Sequence, residues 1–261
     1  MHHFRISSLL ASFFIVGLVV SAGFCGDECV LKWDFDKIEG GVVKDVSRSG
    51  NDGKIVGSPE VVEGIVGMAM EFDGEDDWVE NLEPEGLPGE GAFTINFFMM
   101  VDEFRGVNHC IGGWGKDIGE AAAGRQRWVV YHDRGRADLI EKFYRLLCFW
   151  GGEGYQQNVG EQILSFGKWQ MITAVYDGAV MRTYCNGRME GEQKMELAGA
   201  AEGFVSVGKD IGGEGWKSFK GKVDEFSIYN YALDEKDIKK LWSVNTASVV
   251  YPEHRAMGTG R

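Results

Sequence analysis

The segment of residues 169–191, WQMITAVYDGAVMRTYCNGRMEG, constrains the fold more than any other. Its β-branched and aromatic residues form three short runs that are separated by Asp177-Gly178 and Asn186-Gly187. Both dipeptides accept the positive φ angles of tight hairpin turns, so the segment predicts a three-stranded antiparallel meander. The rest of the chain agrees, because 38 glycines and only 4 prolines punctuate many short apolar runs in 261 residues. We therefore predict a single all-β domain.

Other segments carry the same strand signal. Residues 92–101, AFTINFFMMV, have apolar side chains on both faces of the predicted strand, which indicates that both faces are covered. One segment differs: ALDEKDIKKLWSV predicts a short amphipathic helix with Asp234 as its N-cap and acids in its first turn. Further strands are predicted at residues 30–36, 68–72, 78–80, 108–114, 128–132, 144–150, 204–208 and 219–229.

The N-terminal residues predict an export signal. His2, His3 and Arg5 precede the apolar run from Leu9 to Val20, and small residues follow at a suitable cleavage position. The net charge of −13 at pH 7 disfavours nucleic acid as a partner and suits a soluble protein outside the cell or in the cell envelope. The predicted organisation is a signal peptide at residues 1–23, a domain without a transmembrane segment at 24–250 and a flexible tail at 251–261.

Five cysteines follow or adjoin the predicted cleavage position. In an exported chain they can form disulfides, and their spacing does not match a zinc site. By position we predict one local bridge between Cys25 and Cys29 and one bridge between two strands, from Cys110 to Cys148. Cys185 is then left over, as a buried thiol or in a bridge between chains.

Several motifs follow one another in an order that resembles a known family. MAMEFDGEDDWVE, GKWQMITAVYDGAVMRTYCNGRMEG, FVSVGKD and FKGKVDEFSIYNYALDEKDIKKLW are similar to segments of the LamG-like (laminin G-like) domains. The resemblance spans about residues 30–243. It implies a concanavalin A-like jelly-roll β-sandwich of two antiparallel sheets with one short C-terminal helix, in which MAMEFDGEDDWVE is a β-hairpin.

The same resemblance suggests functions without deciding between them, because one fold carries many functions. Its first implication is a secreted, non-enzymatic module that binds carbohydrate or another extracellular surface. A polysaccharide hydrolase or lyase and a protein-binding adhesion module are the alternatives. Sugars stack on aromatic rings at a groove or loop rim, and each tryptophan here has burial in the core as its alternative. The aromatic candidates are Trp114, Trp128, Trp150, Tyr155 and Trp216.

The resemblance also implies a structural calcium ion. Calcium binds six or more oxygens from carboxylates and backbone carbonyls, which an acidic extracellular sandwich offers. The corresponding ligands are Asp224 with Asp34 or Asp36, near the turn at Asn51–Asp52. The alternative for Asp224 is a hydrogen bond to the backbone.

The stretch FDGEDDWVENL carries Glu75, Asp77 and Glu80 with the spacing of a retaining glucanase motif. Retaining glycosidases need two carboxylates about 5 Å apart on one face. Side chains alternate along a strand, so Glu75 and Asp77 share a face while Glu80 points the other way. Because Gly74 to Asp77 also resembles a turn, we assign no catalytic residue here.

Overall fold

The computed structural model describes residues 29–89, 91–102, 109–115, 127–133, 145–150, 156–163, 165–196, 203–209 and 217–247. These residues form two sheets and one short helix, so the predicted all-β sandwich is confirmed. In chain order the strands are β1 (Cys29–Trp33), β2 (Ile38–Glu39), β3 (Val42–Val43), β4 (Gly53–Val56), β5 (Glu60–Glu63), β6 (Met68–Asp73), β7 (Trp78–Asn81), β8 (Phe93–Met100), β9 (His109–Gly115), β10 (Arg127–Asp133), β11 (Arg145–Trp150), β12 (Gln156–Ile163), β13 (Gln170–Tyr176), β14 (Val180–Cys185), β15 (Arg188–Lys194), β16 (Phe204–Val207), β17 (Lys217–Ser218) and β18 (Lys220–Tyr229).

Within the described ranges the strands divide into two sheets. Sheet A has the order β15-β14-β13-β8-β18-β6-β5, and β1 pairs with β18 beside this path. Sheet B has the order β12-β11-β10-β9-β16-β7-β4-β3-β2, and β17 joins β9 as a short parallel pair. The other pairs are antiparallel, and the predicted meander is present as β13, β14 and β15. Gly178, Asn186 and Gly187 at its turns have the positive φ angles that their sequence predicts.

The main hydrophobic core lies between the two sheets. Trp33, Phe97, Trp114 and Phe226 belong to this core and are fully buried. Removing aromatic area from water is the main source of stability for such a sandwich. The alternation of side chains then leaves the opposite face of each strand for other partners.

The helix α1 (Glu235–Thr246) covers the other face of sheet A. Asp234 caps it, because its carboxylate accepts a hydrogen bond of 2.8 Å from the backbone N–H of Asp237. Ile238 is fully buried in a second core under the helix, where Phe98 of β8 stacks on Trp242 at 6.0 Å between ring centroids. The prediction that β8 is covered on both faces is therefore confirmed. In the described ranges, no helix is long and apolar enough to span a membrane.

The predicted hairpin at MAMEFDGEDDWVE is wrong. Strand β6 pairs with β5 and β18 in sheet A, whereas β7 pairs with β4 and β16 in sheet B. Residues 74–77 therefore cross from one sheet to the other. Residues 57–59 make a second crossing, from β4 to β5, and the pairs Val56–Trp78 and Glu60–Glu71 place the two crossings side by side.

The strand order also tests the predicted disulfide between Cys110 and Cys148. Strand β10 lies between β9, which carries Cys110, and β11, which carries Cys148. Two strand spacings are about 9–10 Å, beyond the Cα separation of about 7 Å that a disulfide tolerates. The predicted Cys110–Cys148 bridge is wrong, and Cys110 is a buried thiol. Cys25 lies outside the described residues, so its bridge to Cys29 stays a prediction.

Cys185 matches one of its two predicted states. Its thiol is buried on β14 and takes part in no disulfide. Desolvation raises the pKa of this thiol to about 11, although the side-chain amide of Gln170 donates a hydrogen bond to its sulfur. Because the thiolate is the reactive form, Cys185 is chemically inert near neutral pH.

Candidate functional site

A cleft of about 410 Å³ opens beside the two crossings between the sheets. Its wall combines residues from the crossings with residues at the adjoining ends of β5, β6 and β18. The lining residues are Gly57, Ser58, Glu60, Glu71, Phe72, Asp73, Asp76, Asp77 and Lys220.

Asp77 holds the two crossings together. Its side chain is only 4% exposed, and its Oδ1 accepts a hydrogen bond of 2.6 Å from the backbone N–H of Ser58. Its Oδ2 accepts a longer bond of 3.3 Å from the backbone N–H of Asp73. Gly57 makes this approach feasible, because at its φ of +80° a Cβ would collide with the Asp76 carbonyl and the Asp77 carboxylate.

The mouth of the cleft is strongly acidic. Asp73 and Asp76 are exposed, and with Asp77 they bring carboxylate oxygens within 4.8 Å of one another. Glu60 and Glu71 add two more carboxylates to the lining, against the one ammonium group of Lys220. Carboxylates accept hydrogen bonds from hydroxyl groups, attract cations and repel anions.

The three acids of the glucanase-like motif, Glu75, Asp77 and Glu80, make different contacts in the structure. Glu75 is exposed in the crossing turn, and its backbone N–H donates to Asp73 Oδ1 at 2.7 Å. Both oxygens of Asp77 accept backbone N–H groups, as described above. Glu80 lies on β7, where its Oε2 accepts a hydrogen bond of 2.9 Å from the indole N–H of Trp78. This arrangement of the three acids matches a structural role for Asp77 and differs from a nucleophile and acid/base pair.

A second group of acids, which we call the buried acidic cluster after its two buried members Asp224 and Glu225, also includes the half-buried Asp34 and the exposed Asp36. The fully buried Asp224 accepts hydrogen bonds through Oδ2 from the backbone N–H groups of Ile65 at 2.9 Å and Val66 at 3.1 Å. Its Oδ1 accepts a third bond, of 2.7 Å, from the backbone N–H of Glu225.

Asp36 and Asp34 also accept hydrogen bonds from backbone N–H groups. Asp36 Oδ1 accepts a hydrogen bond of 2.6 Å from the N–H of Met68, and Asp34 Oδ1 accepts one of 3.2 Å from the N–H of Asp36. Within the described ranges, Asp73, Asp76 and Asp77 bring one carboxylate oxygen each within 4.8 Å of the others. Asp224 makes the backbone hydrogen bonds that were its alternative, and the predicted calcium site of Asp224 with Asp34 or Asp36 stays a prediction.

Burial dominates the electrostatics of this cluster. Desolvation raises the pKa of Asp224 well above its usual value, and the neighbouring Glu225 carboxylate raises it further. Desolvation also raises the pKa of Glu225, although the ammonium group of Lys32, 2.7 Å from Glu225 Oε2, acts in the opposite direction. The pKa of Asp34 is raised by desolvation as well. Asp224 and Glu225 are enclosed by protein, in contrast to the exposed Asp73 and Asp76 of the cleft.

The structure describes only some of the aromatic residues predicted to bind a ligand. Trp114 is fully buried in the main core, where it packs edge-on against Phe93 at 5.1 Å between ring centroids, so the prediction that it contacts a ligand is wrong. Trp128 pairs in register with Trp114 on one side and with Trp150 on the other. Tyr155 and Trp216 lie outside the described residues.

The sequence could have indicated only part of the cleft. Asp73, Asp76 and Asp77 lie together in DGEDD, a local acidic signal that we interpreted only as a hairpin turn. Glu60 and Lys220 come from distant positions, because β5 and β18 pair with opposite edges of β6. That proximity depends on strand pairing, which no local pattern contains.

The described strands resemble those of several solved binding domains. The binding domain of Paraclostridial Mosquitocidal Protein 1 superposes with a TM-score of 0.64 at 15% identity, covering 83% of this chain and 52% of that one. The botulinum neurotoxin serotype G binding domain gives 0.62 at 14% identity, with coverages of 83% and 51%. The chain thus spans about half the length of these toxin domains.

A third similar structure matches over nearly its whole length. It is domain 4 of AbnA, an extracellular arabinanase of family GH43 from Geobacillus stearothermophilus, in complex with arabinotriose. The TM-score is 0.59 at 16% identity, and the match covers 82% of this chain and 98% of that domain. At such identities the likeness concerns the fold alone.

The family assignment comes from the sequence itself. A search among curated proteins found no match to this chain. The family model Laminin_G_3, described as the concanavalin A-like lectin/glucanases superfamily, matches residues 73–239, a range that runs from the cleft to the C-terminal helix. The chain therefore belongs to the concanavalin A-like lectin/glucanase superfamily.

Proposed function

We propose that this protein is an extracellular, non-enzymatic binding module that recognises carbohydrate through the cleft at the sheet crossings. The observation that carries the proposal is the cleft itself, a concave site with convergent polar groups on a rigid sandwich. Ser58, Glu60, Asp73 and Asp76 offer hydrogen-bonding groups to sugar hydroxyls. Phe72 also lines the cleft, but it belongs to the main core and is only 1% exposed, so the polar groups carry the recognition.

The fold of similar structures supports this proposal. Domain 4 of AbnA was solved with arabinotriose, and the other two neighbours are binding domains. The predicted export signal agrees with an extracellular role, as does the acidic net charge. Against a glycosidase role stands the commitment of Asp77 to two backbone N–H groups, because this carboxylate is held in place by the fold.

We place the proposed calcium site at the cleft and not at the buried acidic cluster. Three carboxylates with converging oxygens are a suitable hard-ligand set for Ca²⁺, and Asp73, Asp76 and Asp77 would hold the ion. A bound ion would neutralise their mutual repulsion and fix the crossing of residues 74–77. The role of calcium in this proposal is therefore stabilisation of the site.

The test is an array of immobilised glycans probed with the full chain, once with calcium and once with chelator. We expect saturable binding of neutral oligosaccharides without release of reducing ends, and weaker binding in chelator. Release of product would instead assign a hydrolase or lyase. Absence of binding to every glycan by a folded protein would contradict carbohydrate recognition and would favour a protein partner.

The matched variants are Asp73→Asn with Asp76→Asn at the cleft, and Asp177→Asn as a control. Asp177 is an acid in the turn between β13 and β14, where Arg182 pairs with it at 2.6 Å. All three substitutions remove one negative charge each. We expect the cleft variants to lose binding and the control to keep it, because only the former remove acceptors from the site.

A further inference from the structure

Trp78 lies directly beside the cleft, on the surface of sheet B. It follows Asp76 and Asp77 of the cleft lining, and β7 continues the crossing into sheet B. Val79, the next residue, is fully buried in the core, so alternation directs Trp78 and Glu80 to the opposite face. Trp78 is half-buried there, which leaves part of its ring accessible.

Two polar side chains organise this ring. Glu80 accepts the indole N–H of Trp78 at 2.9 Å, which fixes the plane of the ring relative to the strand. Lys209 places its ammonium group 3.9 Å from the ring centroid, over one face. The Lys209 side chain is exposed, so only a flexible, solvated group covers that face.

A half-buried indole with a fixed orientation and adjacent polar groups has the features of a sugar-stacking surface. Asp76 precedes Trp78 by two residues, so their Cα atoms are at most about 7 Å apart. One oligosaccharide is long enough to contact both the cleft and the ring.

The charges that line the cleft favour a neutral ligand over an acidic one. Five carboxylates and one lysine line the cleft, and one Ca²⁺ ion at Asp73, Asp76 and Asp77 would still leave a net negative charge, so an acidic sugar polymer would be repelled there. Resting on the proposed carbohydrate recognition, we propose that Trp78, oriented by Glu80, is a second subsite of the cleft, and that the ligand is a neutral oligosaccharide spanning both. Lys209 occupies the stacking face of Trp78 until the sugar replaces it.

The experiment uses the full chain and neutral arabino-, xylo-, gluco- and manno-oligosaccharides of increasing length, with oligogalacturonates as acidic probes. Trp78→Ala should lower the affinity for the longer neutral ligands by about tenfold, which corresponds to about 1.4 kcal/mol, and leave that for single sugar units unchanged. Trp78→Phe should retain most of the affinity. Met189→Ala, at an exposed residue on the distant edge strand β15, is the control and should bind like the wild type.

Lys209→Ala gives a second readout that does not depend on the folding of a tryptophan variant. An exposed cation–π contact contributes about 0.5–1 kcal/mol, so removing it should tighten binding of the longer ligands by about two- to fivefold. Equal binding of all lengths by the wild type, Trp78→Ala and Lys209→Ala would overturn the second subsite while leaving carbohydrate recognition intact. Preference for oligogalacturonates would overturn the neutral ligand, and no binding by the wild type would overturn both proposals.

Discussion

Two groups of carboxylates lie at opposite ends of strand β6. At its start, the buried Asp224 and the exposed Asp36 accept backbone N–H groups from residues 65–68. At its end, Asp73 and Asp76 are exposed at the mouth of the cleft. The contrast is sharpest for Asp224: backbone N–H groups occupy both of its oxygens inside the protein, whereas Asp73 and Asp76 are accessible from solvent.

This comparison explains why the same residue type serves two purposes within one strand length. A buried carboxylate is tolerated only where donors satisfy it, and Asp224 has three such donors. An exposed carboxylate remains solvated and can exchange water for a ligand. By burial and backbone donors Asp224 is a structural acid, and Asp73 and Asp76 are the exposed acids that we propose bind the ligand.

The largest effect is expected from Asp224→Ala. Removal of the carboxylate leaves three buried N–H groups without an acceptor, and we expect the free energy of unfolding to fall by about 3–5 kcal/mol. The measurement is urea denaturation followed by circular dichroism. Asp76→Ala is the matched control from the other end of β6, and a change within about 0.5 kcal/mol is expected there. Equal losses in the two variants would remove the distinction between the groups.

Alanine variants of two glycines test the contact between Asp36 and the turn at Gly67. Gly67 has φ of +61°, and a Cβ there would collide with the Asp36 carboxylate, whereas Gly40 has φ of +59° and nothing within 4 Å. Both alanine variants bear the same backbone strain, of about 1–2 kcal/mol. We expect Gly67→Ala to lose about 0.5–1.5 kcal/mol more than Gly40→Ala, because the exposed Asp36 carboxylate must move and give up its hydrogen bond from the N–H of Met68. Identical unfolding midpoints would show that Asp36 holds the turn less tightly than its contacts indicate.

Asp77 belongs to the cleft but is bonded like the buried acids, so it should combine both behaviours. Asp77→Ala removes the acceptor of the Ser58 and Asp73 N–H groups, and a loss of stability of about 1–3 kcal/mol is expected. Because the crossings then separate, glycan binding should fall as well. A variant of wild-type stability that still binds would show that Asp77 holds neither crossing.

The pH dependence of stability gives the smallest effect. Burial raises the pKa of Asp224 above its usual value of 3.8, with Glu225 adding to the rise and the N–H groups of Ile65 and Val66 opposing it. The folded state therefore holds a proton more tightly than the unfolded state, and the free energy of unfolding decreases as pH rises through the raised pKa.

Asp224→Asn removes this titration. We expect stability to decrease less in this variant than in the wild type as the pH rises above the usual carboxyl pKa of 3.8. Asp34 and Glu225, whose pKa values burial also raises, keep their titrations in both proteins. Denaturation curves at several pH values provide the measurement, and parallel slopes for wild type and Asp224→Asn would contradict the raised pKa.

The features predicted correctly from the sequence depend on neighbours in the chain. Asp234 caps the helix by accepting a hydrogen bond from the N–H of Asp237, three residues later. The turns at Gly178 and Gly187 depend only on the positive φ angles of those glycines. Such signals are complete within a few residues. The apolar faces of β8 likewise reflect only the strand period.

The features that the sequence failed to predict depend on which strands pair. Four residues between β6 and β7 are compatible with a hairpin, yet β6 and β7 join different sheets, and this alone creates the cleft. The intervening β10 separates Cys110 from Cys148 in the same way. Asp224 had two alternatives because its donors, Ile65 and Val66, come from a turn about 160 residues away in the chain.

The most direct test of the distinction between the two groups is the affinity of the double variant Asp73→Asn/Asp76→Asn for a neutral oligosaccharide selected on the array, measured beside its urea midpoint. We expect the affinity to fall by at least about tenfold, and the urea midpoint measured in chelator to stay at the wild-type value or rise slightly, because repulsion between adjacent carboxylates is relieved when no calcium is bound. Wild-type affinity in this folded variant would show that the exposed acids of the cleft do not bind the ligand.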